Sequence, residues 1–220
     1  GIGTKTAQRV ILDLKDKIDT TLTKDFSNSP SWVKDVHGHG THVSGTIWAS
    51  VNGKWVYWVN SNVSIVWLKV LNDEWKWSSY DIYNAIKYAA DNNIKVLNLS
   101  LWGDGNPAND ALCEAIDYAL WKWTISVVAA WNENQDVSKK VPGWCKNAIT
   151  VWAIDSWDKK ADFSNYGTEV DVAAPWVWIY SSLPNDNYDS RNGTSMATPH
   201  VAWMVSAILA YKNTLSLSEL

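Results

Sequence analysis

Apolar positions along the chain follow two periods. Ile82, Ala85, Ile86 and Ala89 recur at three- and four-residue steps within 79–92. Leu112, Ala115, Ile116, Ala119 and Leu120 do the same within 107–121, with Pro107 opening that segment, where a missing N–H is tolerated. Both segments predict amphipathic helices. Around them, 65–71 (IVWLKVL), 94–100, 124–130 and 148–154 are short apolar runs, the pattern of strands buried on both faces. Val10-Ile11-Leu12 is a shorter run of the same kind, ended by Asp13. A last apolar stretch, 196–211, is long enough for a buried helix. Strands alternating with helices predict an α/β fold, three layers α/β/α around a mainly parallel central sheet. A chain of 220 residues without repeats predicts one domain over 1–220.

Ser195 stands just ahead of that last helix, among unpaired backbone N–H groups and the positive end of the helix dipole. Gly193 before it permits a tight approach, and Pro199 after it fits a first helical turn. Two readings follow. A serine there is an N-cap, or it is a hydroxyl placed to be acylated.

Composition narrows the partners. With 19 basic and 23 acidic side chains the formal charge is -4, which gives no basic patch for nucleic acid. No apolar run reaches the roughly 20 residues of a membrane span. The start, Gly1-Ile2-Gly3, has no charged segment leading into an apolar one, so any signal or propeptide is expected to have been removed or to lie outside this sequence. Cys113 falls in a predicted helix and Cys145 in a turn, which favours two free thiols over a disulfide. Nothing in the sequence asks for a partner subunit, so a monomer is expected.

His37, His39 and His42 lie within six residues, but HGHGTH lacks the HExxH spacing and has no cysteine or acid beside it in a recognised metal pattern. The stretch DVHGHGTHVSGT, 35–46, together with NGTSMATPHV, 192–201, resembles the subtilisin-like serine protease family. VVAAWNEN, 127–134, resembles that family's oxyanion asparagine segment, except that Trp131 stands where the family has glycine. The resemblance runs from about Asp35 to about Tyr211.

The resemblance implies a secreted serine endopeptidase acting on protein or peptide substrates, with a propeptide or protein inhibitor as a further partner. Ser195 would be the nucleophile, His39 the general base, and Asn132 the side-chain oxyanion donor. The triad acid would be Asp13, at the end of its apolar run, with Asp16 as the alternative because its distance from Asp25-Phe26 resembles the family's spacing. His42 would be structural. Substrate would lie as an added strand beside Ser100-Leu101-Trp102-Gly103, with Ala130 and Trp131 in the wall of the principal pocket. Structural calcium is implied at Asn52 and, at a second site, Asp171. The family continues past the last matching helix, so the expectation is either a domain shortened at Leu220 or a fragment of a longer chain.

One feature of composition runs against the pattern. The chain has 17 Trp and 11 Gly, whereas ordinary usage would give about 15 glycines. Trp55, Trp58, Trp102, Trp131, Trp152, Trp176 and Trp203 stand where the matching family segments carry glycine, and Trp48 and Trp67 where they carry a small residue. An indole forced into a packed site costs about 1–3 kcal/mol. A catalytically impaired peptide-binding or scaffold protein of the same fold is therefore the alternative function.

Overall fold

The computed structural model describes residues 18–47, 63–101, 103–104, 110–212 and 215–220. Asp13, Asp16, Asn52 and Trp102 lie outside the described residues, as do Trp48, Trp55 and Trp58. Two compact units are present, Gly1–Ala85 with Tyr180–Ser190, and Ile86–Ile179 with Arg191–Leu220.

The second unit holds the sheet that the apolar runs predict. Strands β3 (Val96–Leu99), β5 (Ile125–Ala129), β7 (Ala148–Ile154) and β8 (Val172–Pro175) pair in that order, every pair parallel. All five residues of β5 are buried, as a strand covered on both faces requires. Ile125 and Val127 pack with Val151 and Ala153 of β7 against Ala197, Val201, Ala202 and Val205 of the long helix α4 (Thr194–Tyr211). Alternation sends Ser126 and Val128 to the other face. Helix α3 (Ala111–Trp121) also packs on β5 and buries Leu112, Ala115, Ile116 and Ala119. Helices on both faces of a parallel sheet make the expected three-layer α/β/α fold.

Helix ends follow side-chain chemistry. Asp110 caps α3 by accepting the Leu112 N–H at 2.8 Å. At its other end Trp123 N–H donates to Leu120 O and Thr124 N–H to Ala119 O, a Schellman turn with Trp123 in the left-handed position at φ 64°. Helix α2 (Ser79–Asp91) ends on the same pair of bonds, but there Asn93 takes the left-handed position, at φ 58°.

The thiols are not free. Cys113 and Cys145 form a disulfide with Cα atoms 5.1 Å apart. The segment leading into β7 runs along α3, where Asn147 Nδ2 donates to Asp117 Oδ1 at 2.8 Å; Cys113 lies one helical turn before Asp117 and so meets Cys145. Sequence spacing carries no trace of that approach.

The first unit contains helix α1 (His39–Ile47), in a stretch whose Gly, Thr and Val content predicts no helix. The apolar run 65–71 yields only β2 (Leu68–Lys69), parallel to β1 (Lys24–Asp25), and a bridge from Ile65 to Ile18. Strands β9 (Ile179–Leu183) and β10 (Asn187–Arg191) pair in a two-stranded sheet. Helix α1 packs closely on β9. Ser181 Oγ donates to His42 O at 2.7 Å, and a Cβ on Gly45 would run into the Ser181 and Ser182 hydroxyls, so a larger residue there would force them to shift.

Candidate active site

Ser195 is not the N-cap of α4. Gly193 holds that position at φ 143° and ψ 158°, a backbone open only to glycine, and Ser195 is the second helical residue, 8% exposed. Its own N–H lies among the first-turn amides that no intrahelical carbonyl can accept. Pro199 sits in the second turn, not the first, and so deprives the Ser195 carbonyl of its helical donor. Ser100 replaces that donor: its Oγ gives a hydrogen bond to Ser195 O at 2.9 Å, while Asn98 Nδ2 donates to the Ser100 hydroxyl at 2.9 Å. The Ser195 hydroxyl is directed at Ser100 O, at 3.4 Å.

Asn132 is tied to the same turn. Its Oδ1 accepts the Thr194 N–H at 2.9 Å and the Thr194 hydroxyl at 3.0 Å. Two donors at one end fix the amide's orientation, because a flipped amide would set N–H against N–H. The end left to donate is Nδ2. The loop carrying Asn132 follows β5, and Trp131 just before it has φ 85°, a left-handed value for a residue with a bulky side chain. Among the residues expected to bind substrate, Ala130 is fully buried and gives its N–H to Val151 O, and Ser100 and Leu101 are half-buried. Gly103 is buried and opens β4 (Gly103–Asp104), which pairs antiparallel with β6 (Lys140–Val141), Gly103 opposite Val141.

Beyond Asn132, Glu133 forms an ion pair at 2.6 Å with Lys140, whose side chain is 6% exposed. Glu133 N–H and Gln135 N–H both donate to Asn165 Oδ1, at 3.0 and 3.1 Å, and Asn165 N–H donates to Trp131 O at 2.8 Å.

In the first unit, His39 is the first residue of α1 and half-buried. Asp35 shapes the turn before it. Its carboxylate accepts N–H groups of His37, Gly38 and Thr41 and the Thr41 hydroxyl, at 2.7 to 3.1 Å. Burial pushes the Asp35 carboxyl up, but these donors outweigh it and hold it below its ordinary value. Trp75 meets both flanking imidazoles, stacked on His37 with centroids 3.5 Å apart and edge-on to His39 at 5.2 Å. His42 is fully buried with Nε2 3.1 Å from Asp189 O, the structural place expected of it.

Asp171 Oδ2 accepts the Thr150 N–H at 2.7 Å. Partial burial, with Glu169 close by, raises its carboxyl above the ordinary value in spite of that bond. Among the described residues no group of three His, Cys, Asp or Glu side chains is gathered as a metal site.

Sequence reasoning passed over Asp35, Thr194 and Asn165. Asp35 carried a signal, an Asp three residues before Gly38 in a turn-rich stretch. Thr194 lies within NGTSMATPHV, but its bonds to Asn132 join segments distant in sequence, and Asn165, which accepts the Glu133 and Gln135 N–H groups, lies in no motif.

The sequence profile of the subtilase family matches residues 9–220. The chain is similar to Subtilisin DY of Bacillus licheniformis, 39% identical over 197 residues, covering 88% of this chain and 71% of that protein. It is 40% identical over 187 residues to Thermitase of Thermoactinomyces vulgaris, covering 84% of this chain and 66% of that protein. Of Subtilisin E from Bacillus subtilis it spans only 47%. Among solved structures, a cold adapted subtilisin-like serine proteinase matches 93% of this chain and 72% of its own at TM-score 0.83 and 32% identity. Sphericase matches 94% and 75% at TM-score 0.83 and 30% identity.

Proposed function

The chain belongs to the subtilase family, and on that premise we propose that it is a serine endopeptidase with Ser195 as nucleophile and Asn132 as oxyanion donor. The observation that carries this reading is the fixed amide of Asn132, whose Oδ1 is held by Thr194 next to Ser195, leaving Nδ2 to donate. Ser195 Oγ adds to the substrate carbonyl as His39 takes its proton, and the developing oxyanion is met by Asn132 Nδ2 and the Ser195 N–H. His39 returns the proton to the leaving amine, and water repeats the sequence on the acyl-enzyme. Asp13, or Asp16 in its place, orients the imidazole. Substrate lies extended along Ser100, Leu101, Trp102 and Gly103, with Ala130 and Trp131 at the principal pocket. The chain works as a monomer, in one domain.

The Cys113–Cys145 disulfide supports secretion, since such bonds persist in oxidising compartments. Among the described residues no helix is long and apolar enough to cross a membrane. Calcium suits Asp171 chemically: a hard cation on this carboxylate would relieve its partial desolvation and the neighbouring charge of Glu169. Asn52 is proposed for the other calcium site. Calcium would supply rigidity there and take no part in the reaction.

A second reading, peptide binding with little turnover, draws on Trp131 next to Asn132 and Trp75 against His39. Turnover of a peptide nitroanilide separates the two. The endopeptidase reading expects activity that Ser195→Ala lowers by about 10⁶-fold, the scale known for such a serine. Peptide binding without turnover in the unsubstituted chain would favour the alternative.

A further inference from the structure

We infer that Asn165 is a positioning residue for the oxyanion donor, an inference that rests on the peptidase reading of Asn132. The peptide groups on either side of Asn132 are both hydrogen-bonded to this one residue. Trp131 O, in the peptide before it, accepts Asn165 N–H at 2.8 Å; Glu133 N–H, in the peptide after it, donates to Asn165 Oδ1 at 3.0 Å. With both peptide planes held, the backbone angles at Asn132 are set, and so is the direction of its Cβ. Gln135 N–H shares the same oxygen at 3.1 Å, which closes the loop over the Asn165 side chain.

The loop does not hold this shape by its own preference, because Trp131 takes φ 85° with a side chain that disfavours it. Asn165 supplies the constraint from outside, and stability alone does not account for its own amide. The residue is fully buried and its Nδ2 has no hydrogen-bond partner among the described residues, an arrangement that costs free energy. An apolar side chain of similar shape would avoid that penalty but would offer no acceptor to Glu133. The acceptor is therefore what the site keeps.

Two contacts then fix the oxyanion donor from opposite ends. Thr194 holds the amide tip through Oδ1, and Asn165 holds the backbone from which the side chain springs. A displacement of an ångström at such a donor can lower turnover by about 10²-fold.

The test compares kcat and KM of Asn165→Ala in the unsubstituted and Asn132→Ala backgrounds, with active enzyme counted by a fluorophosphonate that labels Ser195. Thr124→Ala is the control, since Thr124 is as buried as Asn165 and its hydroxyl donates to Ile94 O at 2.6 Å, at the end of β5 away from the Asn132 loop. Expected are a fall in kcat of about 10-fold with KM held within about twofold, and a change under about twofold once Asn132 is gone. Thr124→Ala is expected to lower the unfolding temperature and leave kcat unchanged. If Asn165→Ala does not fold, Asn165→Ser, which keeps one acceptor, is expected to lower kcat at constant KM. Full kcat in the folded variant, or equal falls in both backgrounds, overturns the inference while leaving the peptidase reading intact. An unsubstituted chain that neither turns over peptide nor takes the label overturns the peptidase reading, and this inference with it.

Discussion

The turn ahead of α4 and the turn after β5 meet in one hydrogen-bonded pair, Thr194 and Asn132, and each is entered through a residue at positive φ. In the first turn that residue is Gly193, at φ 143°. A Cβ there would meet the Asn132 amide only at ordinary contact distance, 3.8 Å, so backbone angle and not space demands the glycine. In the second turn it is Trp131, at φ 85°, where residue and backbone disagree. A side chain held in the left-handed region costs roughly 1–2 kcal/mol. The first turn is kept in shape by its own residue, the second by neighbours, chiefly Asn165.

That difference can be attacked from both sides. The largest effects belong to the shared pair: Asn132→Ala should lower kcat by about 10²–10³, the fall known for loss of such a donor, with little change in KM. Gly193→Ala should come next, destabilising by about 1–3 kcal/mol through strain at φ 143° and lowering kcat by displacing Thr194, as chemical unfolding and steady-state kinetics would show. Trp131→Gly should act in the opposite sense, stabilising by about 1–2 kcal/mol in the same unfolding experiment. With the indole gone from the pocket wall, kcat/KM on peptides with large side chains should rise as well; no gain in turnover would count against the peptide-binding alternative so far as it draws on Trp131.

Smaller effects separate strain from function. Trp123→Gly, at the end of α3, should stabilise by about 1 kcal/mol and leave kcat alone, because its turn repeats that of Asn93 and lies at the opposite end of β5 from Asn132. The smallest concerns pH. Asp35 has its folded carboxyl below the ordinary value near 3.8, so its contribution to stability is full above that value and is lost as pH falls through the folded one. Acid unfolding of Asp35→Asn should accordingly lack that part of the decline.

Much of the sheet was legible in apolar periodicity. The strand at 148–154 and the helices within 79–92 and 107–121 stand where their patterns place them. Helix α1 was not, because Gly40, Thr41, Val43, Gly45 and Thr46 are poor helix formers, held there by Asp35 and by close packing on Ser181 and Ser182. Pro199 was legible as a helix residue but not in its turn, since only the Ser100 hydroxyl makes a second-turn proline tolerable. The tryptophans divide similarly. Trp131 does hold a glycine-like backbone angle, but Trp152 lies in β7 and Trp203 in α4. Trp32, Trp75, Trp123 and Trp178 hold such angles without any motif to mark them. At Trp123 the angle belongs to the Schellman turn that ends α3, and at Trp131 to a loop tied to Asn165, which lies far along the chain.

The central claim is that Ser195 is an activated nucleophile, and covalent labelling tests it most directly. The native chain is treated with a fluorophosphonate and mapped by peptide mass spectrometry. The account predicts one adduct, on Ser195, absent in Ser195→Ala and formed far more slowly in His39→Ala. No adduct on Ser195 in the folded native chain, or labelling that does not depend on His39, would contradict it.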